Sequence, residues 1–443
     1  DWHSWRQADT ASVSRIFSEK GVDLLHPRYH DLSSVASGYN NPHGWRFVEF
    51  PIYNAMHSLM SKTSSRFTFD EAGRLTSVFI SLISLIFVYL IGRRFINPFG
   101  GLIAGAFFAF LPFNIYFSRV ILPEPLAVML GVGALYLFTL WIDKNGWWQF
   151  FISALLFALA LLVKPYTIFY AVPMLYLLFE KYRWGSVVNM RAWIFFSIAF
   201  IPLFLWRGFI SQYIEGIPFW VWAFNGDEIR FRPAWWSWIF EERIGRLILG
   251  GWLLTPFVVG FLYKAKNYSW FFVSVFAGQF LYFSTVATAS VRHDYYQTLA
   301  IPSIAFLIAS GIVLLWESKL GNDISRKLVI LGTVAFGLAF SFYQIKEFYK
   351  INHPEIITAG IAADRLLPKT AKVIAPYNGD TAFLYQTKRF GWPYVTLPMD
   401  QMVNRLGAEY YVSVNFDLQT KEIMEKYQVV EKTNEYVIVK LKK

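Results

Sequence analysis

The chain contains no cysteine. Neither disulfides nor thiolate metal sites can therefore contribute to its fold. Charged residues are also scarce, since they make up 16% of the sequence, against roughly 25% in an average soluble domain. Hydrophobic residues make up 55% and aromatic residues 20%. This balance excludes an ordinary soluble enzyme and is typical of a polytopic membrane protein.

Acidic residues are the scarcer of the charged ones. The 30 Asp and Glu residues stand against 41 Lys and Arg residues, which gives a net charge of +11. In a soluble protein such an excess would suggest nucleic-acid binding. In a membrane protein, basic loops set the topology and are attracted by anionic headgroups. We therefore expect membrane lipid as a partner and no nucleic acid.

Uncharged apolar runs long enough to span, or nearly span, a bilayer recur along the chain. They lie at about 75–92, 101–118, 125–142, 145–163, 165–179, 192–206, 247–263, 267–291, 295–316 and 328–345. The short loops on one side of these runs hold eleven Lys and Arg residues, and those on the other side hold three. The basic side should be cytoplasmic, so both ends of the chain are expected to face outward.

These runs predict an all-α polytopic membrane protein with a small C-terminal α/β domain. Residues 1–73 form a first external loop with interfacial helices, and residues 74–346 form a transmembrane domain that includes an external loop at 207–246. Residues 347–443 form the extracytoplasmic α/β domain. Its strands are predicted in AKVIAPY, EYYVSVNF and EYVIVKLKK, and its helices in EIITAGIAADRLLP and QTKEIMEKY.

The polar clusters of the chain fall on the predicted outward side. They are DWHSWRQADT, WRFVEFP, SRVILPE, VKPY, GDEIRFRPAWWSWIFEER and VRHDYY. A proton-coupled transporter usually keeps charges at mid-depth in the membrane. Polar groups gathered at one membrane surface instead favour chemistry on a lipid headgroup whose tail stays in the bilayer.

Each cluster also has a purely structural interpretation. Asp9 or Thr10 could cap a helix that continues through the following apolar residues. Glu49 could be an acid near the start of the next helix. Arg119 and Arg292 could anchor the protein to headgroups. The aromatic residues could form an interfacial belt, so the joint placement on one face is the stronger indication of function.

The order of these motifs resembles that of a known family. The motifs are HSWRQADTASVSRIF, VEFPIYN, GRLTSVFISLISLIFVYLIGRRF, SRVILPEPLAV and RHDYY. Over roughly residues 1–345 they resemble bacterial members of the protein-O-mannosyltransferase-like, type C glycosyltransferases, whose relatives include the aminoarabinose transferase of lipid A. The resemblance implies a sugar donor carried on polyprenyl phosphate. It also implies a transmembrane helix ahead of residue 1, in agreement with the absence of an initiator Met.

The resemblance carries over to particular acids. That family has an Asp-Glu pair in its first external loop, and the match of VSRIF places this pair at Arg6 and Gln7. A neighbouring acid is therefore implied as the base. Asp9 is favoured because it lies within WRQADTA, and Asp1 is the alternative. Glu124 matches an acid of the second external loop, and HDYY matches a late loop that helps to bind the donor phosphate.

The implied reaction needs a base and a phosphate site. The acceptor hydroxyl loses its proton as it attacks the anomeric carbon, and a carboxylate can take that proton. The leaving phosphate needs positive charge and hydrogen-bond donors rather than a general acid. The predicted site comprises the acids Asp9, Asp1, Glu49 and Glu124, the phosphate ligands Arg6, Arg119, Lys164, Arg292, His293, Tyr295 and Tyr296, and the substrate-binding side chains His3, Trp5 and Gln7.

The resemblance implies that the enzyme works, with inversion, at the extracytoplasmic face of the bacterial cytoplasmic (inner) membrane. The acceptor is a glycan, a lipid or a protein. The metal dependence stays open at this point: no metal ligands are assigned, and His3, Asp1 and Asp9 could gather a cation, but their spacing is not diagnostic of metal ligands. A transporter or flippase for polyprenyl-linked glycans is the main alternative, although it should show internal symmetry and a polar midplane. A non-catalytic sensor of cell-wall material is a third.

Overall fold

The structure is a computed structural model that describes residues 2–442. Within residues 2–68, two helices, α1 (Ser4–Lys20) and α2 (Ile52–Thr63), are separated by a long loop. The apolar part of the chain that follows is built from helices. They are α3 (Phe69–Phe95), α4 (Pro98–Phe110), α5 (Pro112–Phe117), α6 (Glu124–Lys144), α7 (Trp147–Val163), α8 (Ala171–Tyr182), α9 (Met190–Ile210), α10 (Trp222–Asn225), α11 (Pro233–Trp236), α12 (Leu254–Gly260), α13 (Phe271–Thr285), α14 (Ala287–Arg292), α15 (Ile301–Glu317) and α16 (Asp323–Ile345).

Tighter and wider helical turns connect these helices. The 3₁₀ turns are Pro165–Tyr170, Arg183–Ser186, Ile214–Gly216, Gly226–Phe231, Asp294–Ala300 and Lys346–Tyr349, and a π-helix covers Ser237–Ile248. The tail then alternates helices and strands. It contains α17 (Glu355–Leu366), β1 (Val373–Ile374), α18 (Thr381–Thr387), β2 (Gly391–Trp392), α19 (Met399–Asn404), β3 (Tyr410–Ser413), α20 (Leu418–Lys426), β4 (Gln428–Lys432) and β5 (Val437–Lys440).

The described residues include five helical segments that are long and apolar enough to cross a membrane. They are Phe69–Phe95, Glu124–Lys144, Met190–Ile210, Asp294–Glu317 and Asp323–Tyr349. Three shorter apolar helices, α4, α7 and α13, accompany them. The predicted multi-helix membrane protein is thus confirmed, with several of the predicted runs divided into shorter helices.

Proline and glycine explain where the predicted runs divide. The run at 101–118 breaks before Pro112, which lies in the first turn of α5, and the run at 165–179 starts with a 3₁₀ turn that opens at Pro165. Proline has no N–H to donate and forces its predecessor out of the helical region. In the run at 247–263, Gly250 and Gly251 have φ of 55° and 73°, a left-handed conformation that glycine adopts readily.

The chain forms two compact units. The first comprises the N-terminal residues to Gly73, Phe209–Phe219 and the tail from Tyr349 onwards. The second comprises Arg74–Gly208 and Trp220–Phe348. The N-terminal region and the tail therefore fold as one body, although some 280 residues of sequence separate them.

Close helix packing in the second unit depends on glycine. A Cβ added to Gly260 of α12 would lie 2.0 Å from the carbonyl oxygen of Leu307 in α15. A Cβ added to Gly311 of α15 would lie 1.8 Å from the carbonyl oxygen of Pro256 in α12. Small residues of this kind let apolar helices approach closely enough for backbone contact in a membrane.

The tail of the first unit contains a sheet whose described strands follow the order β2-β1-β3-β5-β4. Strand β1 pairs in parallel with β2 and β3, and β5 pairs antiparallel with β3 and β4. The predicted strand segments contain β1, β3 and β5. Strand β2 is only two residues long, and β4 is mostly exposed, so neither shows the alternation of buried and exposed residues that identifies a strand.

The N-terminal loop adds to one edge of this sheet. Asp31 forms a parallel bridge with Gly391 of β2, the Gly391 N–H donates to His30 O at 2.9 Å, and the Leu32 N–H donates to Gly391 O at 2.8 Å. The Leu32 side chain joins the core of the sheet beside Trp392. The loop thereby protects an edge that would otherwise present unpaired backbone groups.

Gly391→Ala should loosen this added edge, because a Cβ at this position would lie 1.7 Å from the carbonyl oxygen of Val373. We expect faster amide hydrogen exchange in peptides that contain residues 30–32 and 373–375, measured by mass spectrometry. Gly185→Ala is the control, since nothing lies within 4 Å of its added Cβ. Unchanged exchange in Gly391→Ala would contradict the pairing.

Candidate active site

Helix α1 carries most of the N-terminal residues that the sequence singles out. It begins at Ser4, after His3, so Asp9 and Thr10 lie inside the helix and the interpretation of either as an N-cap is wrong. Residues 6–17 are all buried. Because polar groups are costly to bury without hydrogen bonds, each polar side chain of this helix needs a specific partner.

The carboxylate of Asp9 is held at both oxygens. Arg46 donates from Nη2 to Oδ2 at 2.5 Å, and Thr381 donates from Oγ1 to Oδ1 at 2.7 Å. The Asp9 and Arg46 side chains are only 6% and 8% exposed. The Arg46 guanidinium also lies 4.8 Å from the centroid of the Tyr29 ring. These contacts fix the position of a charged carboxylate inside the first unit.

A second acid–arginine pair lies one turn earlier on α1. The Arg6 guanidinium donates to the Glu49 carboxylate, and both side chains are largely buried. Positions 6 and 9 lie three residues apart, so both side chains leave the same face of the helix. Two of the predicted acids, Asp9 and Glu49, are thus each paired with an arginine, and Arg6, predicted as a phosphate ligand, has this carboxylate as a partner.

The other predicted residues of this segment lie around the start of α1. The His3 ring makes an edge-to-face contact with the Trp2 ring at 5.3 Å, and Gln7 donates from Nε2 to Trp2 O at 3.0 Å. The carbonyl oxygen of Trp5 lies 3.4 Å from the hydroxyl of Thr381. Asp1, the alternative base, lies outside the described residues.

Burial shifts the pKa values of two titratable groups in the loop after α1 in favour of their neutral forms. Burial lowers the pKa of His30 to about 3, an effect that the charge of Arg15 increases, and the ring Nδ1 lies 2.6 Å from Ser12 Oγ. Burial raises the pKa of Asp31 to about 6. The Ser33 N–H donates to Asp31 Oδ1 at 2.7 Å and partly offsets that rise.

In the second unit, Glu124 and Lys164 form a buried pair. Lys164 donates from Nζ to Glu124 Oε1 at 2.5 Å. The side chain of Lys164 is 6% exposed and that of Glu124 is 2% exposed. The ammonium lies 5.3 Å, 5.8 Å and 6.0 Å from the ring centroids of Tyr296, Tyr295 and Tyr166. Three aromatic faces and one carboxylate therefore surround a single cation, an arrangement that favours cation–π attraction.

Local sequence explains this placement. Glu124 is the first residue of α6, where the helix dipole favours a negative charge. Lys164 follows α7 and precedes Pro165, and its φ of −150° and ψ of 103° are extended, as expected before a proline. A helix start and a helix end thus bring the two side chains together.

Several buried side-chain oxygens of this unit make no hydrogen bond within the described part of the chain. They are Glu124 Oε2, Ser290 Oγ, Gln297 Oε1 and Thr298 Oγ1. Most buried polar atoms in proteins have a partner, which is often an ordered water molecule. Oxygens on α6, α14 and the Asp294–Ala300 turn are therefore available to accept hydrogen bonds from a polar ligand or from water.

The segment that contains HDYY is organised by ring contacts. The His293 ring stacks on Tyr295 at 5.5 Å and meets Trp222 edge-to-face at 5.6 Å. Arg292 pairs with Asp227 at 3.0 Å, and both side chains are more than half exposed. The predicted phosphate ligands Lys164, Tyr295 and His293 therefore form one continuous group of contacts, whereas Arg292 pairs at an exposed position.

One residue of that segment has a role the sequence did not indicate. Asp294 is buried and pairs with Arg243 at 3.0 Å, and Arg243 also donates to the carbonyl oxygen of Val291 at 2.7 Å.

Arg119, another predicted phosphate ligand, has its guanidinium 5.1 Å from the centroid of the Tyr116 ring.

Sequence reasoning missed Arg46, Thr381, Tyr166, Arg243 and Asp294. Arg46 stands within the quoted segment WRFVEFP, Tyr166 within VKPY, Arg243 within GDEIRFRPAWWSWIFEER and Asp294 within HDYY, so the motifs contained a signal for four of them. Thr381 carries no signal, because its contact with Asp9 joins residues 372 positions apart. No group of three or more His, Asp or Glu side chains that could hold a metal ion occurs among residues 2–442.

Asp31→Asn should stabilise the protein near neutral pH and have little effect at about pH 4. The folded protein holds the Asp31 proton more tightly than the unfolded chain, whose value is 3.8. The stabilisation that comes from this bound proton is therefore fully present below the unfolded pKa, and it is lost as the pH rises through about 6. An amide mimics the protonated acid at every pH. The measurement is the thermal unfolding midpoint at both pH values.

The control for this prediction is Glu19→Gln, because Glu19 is an exposed carboxylate near the end of α1. We expect no difference between its effects at the two pH values. An equal gain for Asp31→Asn at both pH values would contradict the assignment of Asp31 as a titrating group.

Comparisons with known proteins agree with this architecture. Residues 52–206 match the family model of dolichyl-phosphate-mannose-protein mannosyltransferases. No curated protein matches the chain in sequence. The crystal structure of ArnT from Cupriavidus metallidurans bound to undecaprenyl phosphate is similar to this chain with a TM-score of 0.67 and 12% identity, over 99% of this chain and 93% of ArnT.

The oligosaccharyltransferase of Archaeoglobus fulgidus shares the fold over a smaller part of its own length. Its complex with Zn and sulfate has a TM-score of 0.59 at 12% identity, over 93% of this chain and 63% of that one. Its complex with an inhibitory peptide and a dolichol-phosphate has a TM-score of 0.55 at 10% identity, over 93% and 65%. The resemblance found in the motifs is thereby confirmed: the chain has the fold of the type C glycosyltransferases, and its residues 52–206 match their mannosyltransferase family.

Proposed function

We propose that this protein is an integral membrane glycosyltransferase that moves a sugar from a polyprenyl-phosphate donor to an acceptor hydroxyl. The acceptor is a glycan, a lipid or a protein outside the cytoplasm. The carboxylate of Asp9, held between Arg46 and Thr381, is the observation that carries the proposal. The family match and the fold shared with ArnT support the reaction class.

Asp9 acts as the general base. The acceptor hydroxyl attacks the anomeric carbon of the sugar, and its proton passes to an oxygen of the Asp9 carboxylate as the new glycosidic bond forms. An ionised carboxylate has about four lone-pair positions, and Arg46 and Thr381 occupy one each. The remaining positions can receive the proton. A single displacement of this kind inverts the configuration at the anomeric carbon.

Lys164 stabilises the leaving phosphate. The bond from the anomeric carbon to the phosphate oxygen breaks, and negative charge grows on a lipid phosphate that needs no proton to leave. A cation held in place before the reaction stabilises that charge without reorganisation. The contacts of Lys164 with Glu124 and with the faces of Tyr295 and Tyr296 keep the ammonium in a defined position.

The proposed donor and the proposed location have separate support. One relative of the same fold was crystallised with undecaprenyl phosphate and another with a dolichol-phosphate, so a polyprenyl phosphate is the proposed carrier here. Nucleotide sugars are confined to the cytoplasm, whereas a lipid-linked sugar is available on the outer face of the bacterial inner membrane. We place the reaction on that face, in line with the distribution of Lys and Arg residues. The match to a transferase family disfavours the transporter interpretation.

Asp9→Asn should retain the fold and lose turnover by roughly 10²–10⁴-fold, the usual contribution of a general base. The amide oxygen still accepts a hydrogen bond from Arg46, but the amide cannot take a proton. Turnover is measured as undecaprenyl phosphate released from undecaprenyl-phosphate-linked mannose and from a panel of neutral and amino sugars on the same carrier.

Four further variants accompany this test. Asp31→Asn removes a buried carboxylate of the same unit that is not the base, and it should keep wild-type turnover. Asp1→Asn tests the alternative acid. Wild-type turnover by Asp9→Asn beside an inactive Asp1→Asn would transfer the role to Asp1. Glu49→Gln and Glu124→Gln should give smaller losses than Asp9→Asn, since each positions a cation.

Lys164→Gln should weaken the binding of undecaprenyl phosphate. Glutamine can still donate to Glu124 but carries no charge, and a charge-assisted hydrogen bond contributes roughly 1.5–3 kcal/mol. We therefore expect an affinity lower by about ten- to a hundredfold, measured by native mass spectrometry in detergent. Lys264→Gln is the control for the loss of one positive charge, because Lys264 is an exposed residue beside Trp270. Equal affinities of the wild type and Lys164→Gln would contradict the assignment.

A further inference from the structure

The loop between β1 and α18 places the side chain of Thr381 against Asp9, the candidate base. Asp380 caps α18, since its Oδ1 accepts from the Ala382 N–H at 2.7 Å. The Asp380 N–H donates to Tyr377 O at 2.8 Å, and Asn378 and Gly379 have φ of 52° and 80°. These features define a tight turn. Thr381 follows directly as the first residue of the helix, so its hydroxyl has a fixed position.

The Thr381 hydroxyl has one proton and two neighbouring acceptors. Asp9 Oδ1 lies at 2.7 Å, and the carbonyl oxygen of Trp5 lies at 3.4 Å. Hydrogen bonds to an ionised acceptor are shorter and roughly twice as strong as neutral ones. The proton therefore goes to the carboxylate, and the hydroxyl acts as a donor to Asp9.

The Thr381 hydroxyl restrains a motion of the Asp9 carboxylate that Arg46 alone does not restrain. The terminal torsion of an aspartate side chain is soft and has no sharp minima. Arg46 holds Oδ2, which restrains one atom of the group, but coupled changes of the two side-chain torsions can still move Oδ1 and its lone pairs. Thr381 holds Oδ1 and so defines the plane of the carboxylate. A base must present a lone pair along the direction in which the proton leaves the acceptor.

Other contacts hold α18 against α1 without this hydroxyl. Arg15 donates from Nη1 to the carbonyl oxygen of Tyr385 at 2.9 Å, and its guanidinium lies 3.8 Å from the Tyr385 ring. The Tyr385 hydroxyl donates to the carboxylate of Asp70. Removal of one hydroxyl at position 381 should therefore leave the two helices packed, which separates a positioning role from a purely structural one.

We propose that Thr381 is a positioning residue for the reaction, which orients the carboxylate of Asp9 for proton transfer. The tail is then part of the catalytic machinery and not an accessory domain. The inference rests on the proposed function, because it takes Asp9 as the base, and it adds a residue that no motif of the chain indicates.

The test compares three variants of the full membrane protein. Thr381→Val keeps the shape and removes the hydroxyl, and Thr381→Ser keeps the hydroxyl. Thr387→Val makes the same change at the other end of α18, where a fully buried hydroxyl donates to Leu384 O at 2.7 Å. Turnover is measured as undecaprenyl phosphate released from the panel of undecaprenyl-phosphate-linked sugars, and unfolding midpoints are measured in parallel.

Thr381→Val should lower kcat by roughly ten- to a hundredfold, in line with the cost of a small misplacement of a reacting group. The KM for the donor lipid should change by less than about threefold, because the loss concerns proton transfer and not donor binding. Thr381→Ser should restore most of kcat. Thr387→Val should show wild-type kcat even where its unfolding midpoint falls.

A double variant gives the sharpest distinction. If Thr381 acts through Asp9, Thr381→Val should cause no further loss of the residual turnover of Asp9→Asn, since residues that act as a unit are not additive. Additive losses, or a kcat of Thr381→Val equal to that of the wild type, would overturn the positioning role alone. Absence of wild-type turnover with every donor would overturn the proposed function and this role with it.

Discussion

Three distant segments of the first unit meet at one buried ion pair, between Asp9 and Arg46. Removal of a carboxylate and a guanidinium from water costs several kcal/mol per ion, and only close geometry with further hydrogen bonds compensates for it. Here the guanidinium comes from the loop after α1, and the additional donor, Thr381, comes from the tail. The loop and the tail must therefore fold together with α1. The pairing of residues 30–32 with β2 is the backbone counterpart of that requirement.

The second unit follows the same rule in an apolar setting. Glu124 and Lys164 are buried among helices whose other residues are largely hydrophobic, and each satisfies the charge of the other. Their backbone positions, at the start of α6 and after the end of α7, place polar groups where helices are already interrupted. The interruption at Pro165 therefore does more than shorten a helix. It leaves Lys164 in an extended conformation, from which its ammonium reaches Glu124.

Much of the fold could be predicted because it follows from local patterns. The long apolar runs became α3, α6, α9, α15 and α16, and the alternating segments of the tail became β1, β3 and β5. The predictions lost accuracy where tertiary contacts decide the outcome. Strand β2 has only two residues and exists because β1 and the N-terminal loop flank it. Asp9 was expected at a helix start, but the helix begins five residues earlier, at Ser4, and Asp9 lies among its buried residues.

The candidate site shows the same division between local and distant information. The motifs contained both members of three buried pairs, since Arg6, Glu49, Asp9, Arg46, Glu124 and Lys164 all lie within them. Which acid pairs with which cation was not predictable, because the partners are 37 to 43 residues apart. The pairing has a chemical consequence. Under the proposed function, the value of the Asp9 carboxylate lies in its fixed orientation and in the exclusion of water. A fixed carboxylate suits the proposed reaction, because the proposed leaving group, a lipid phosphate, departs without a proton.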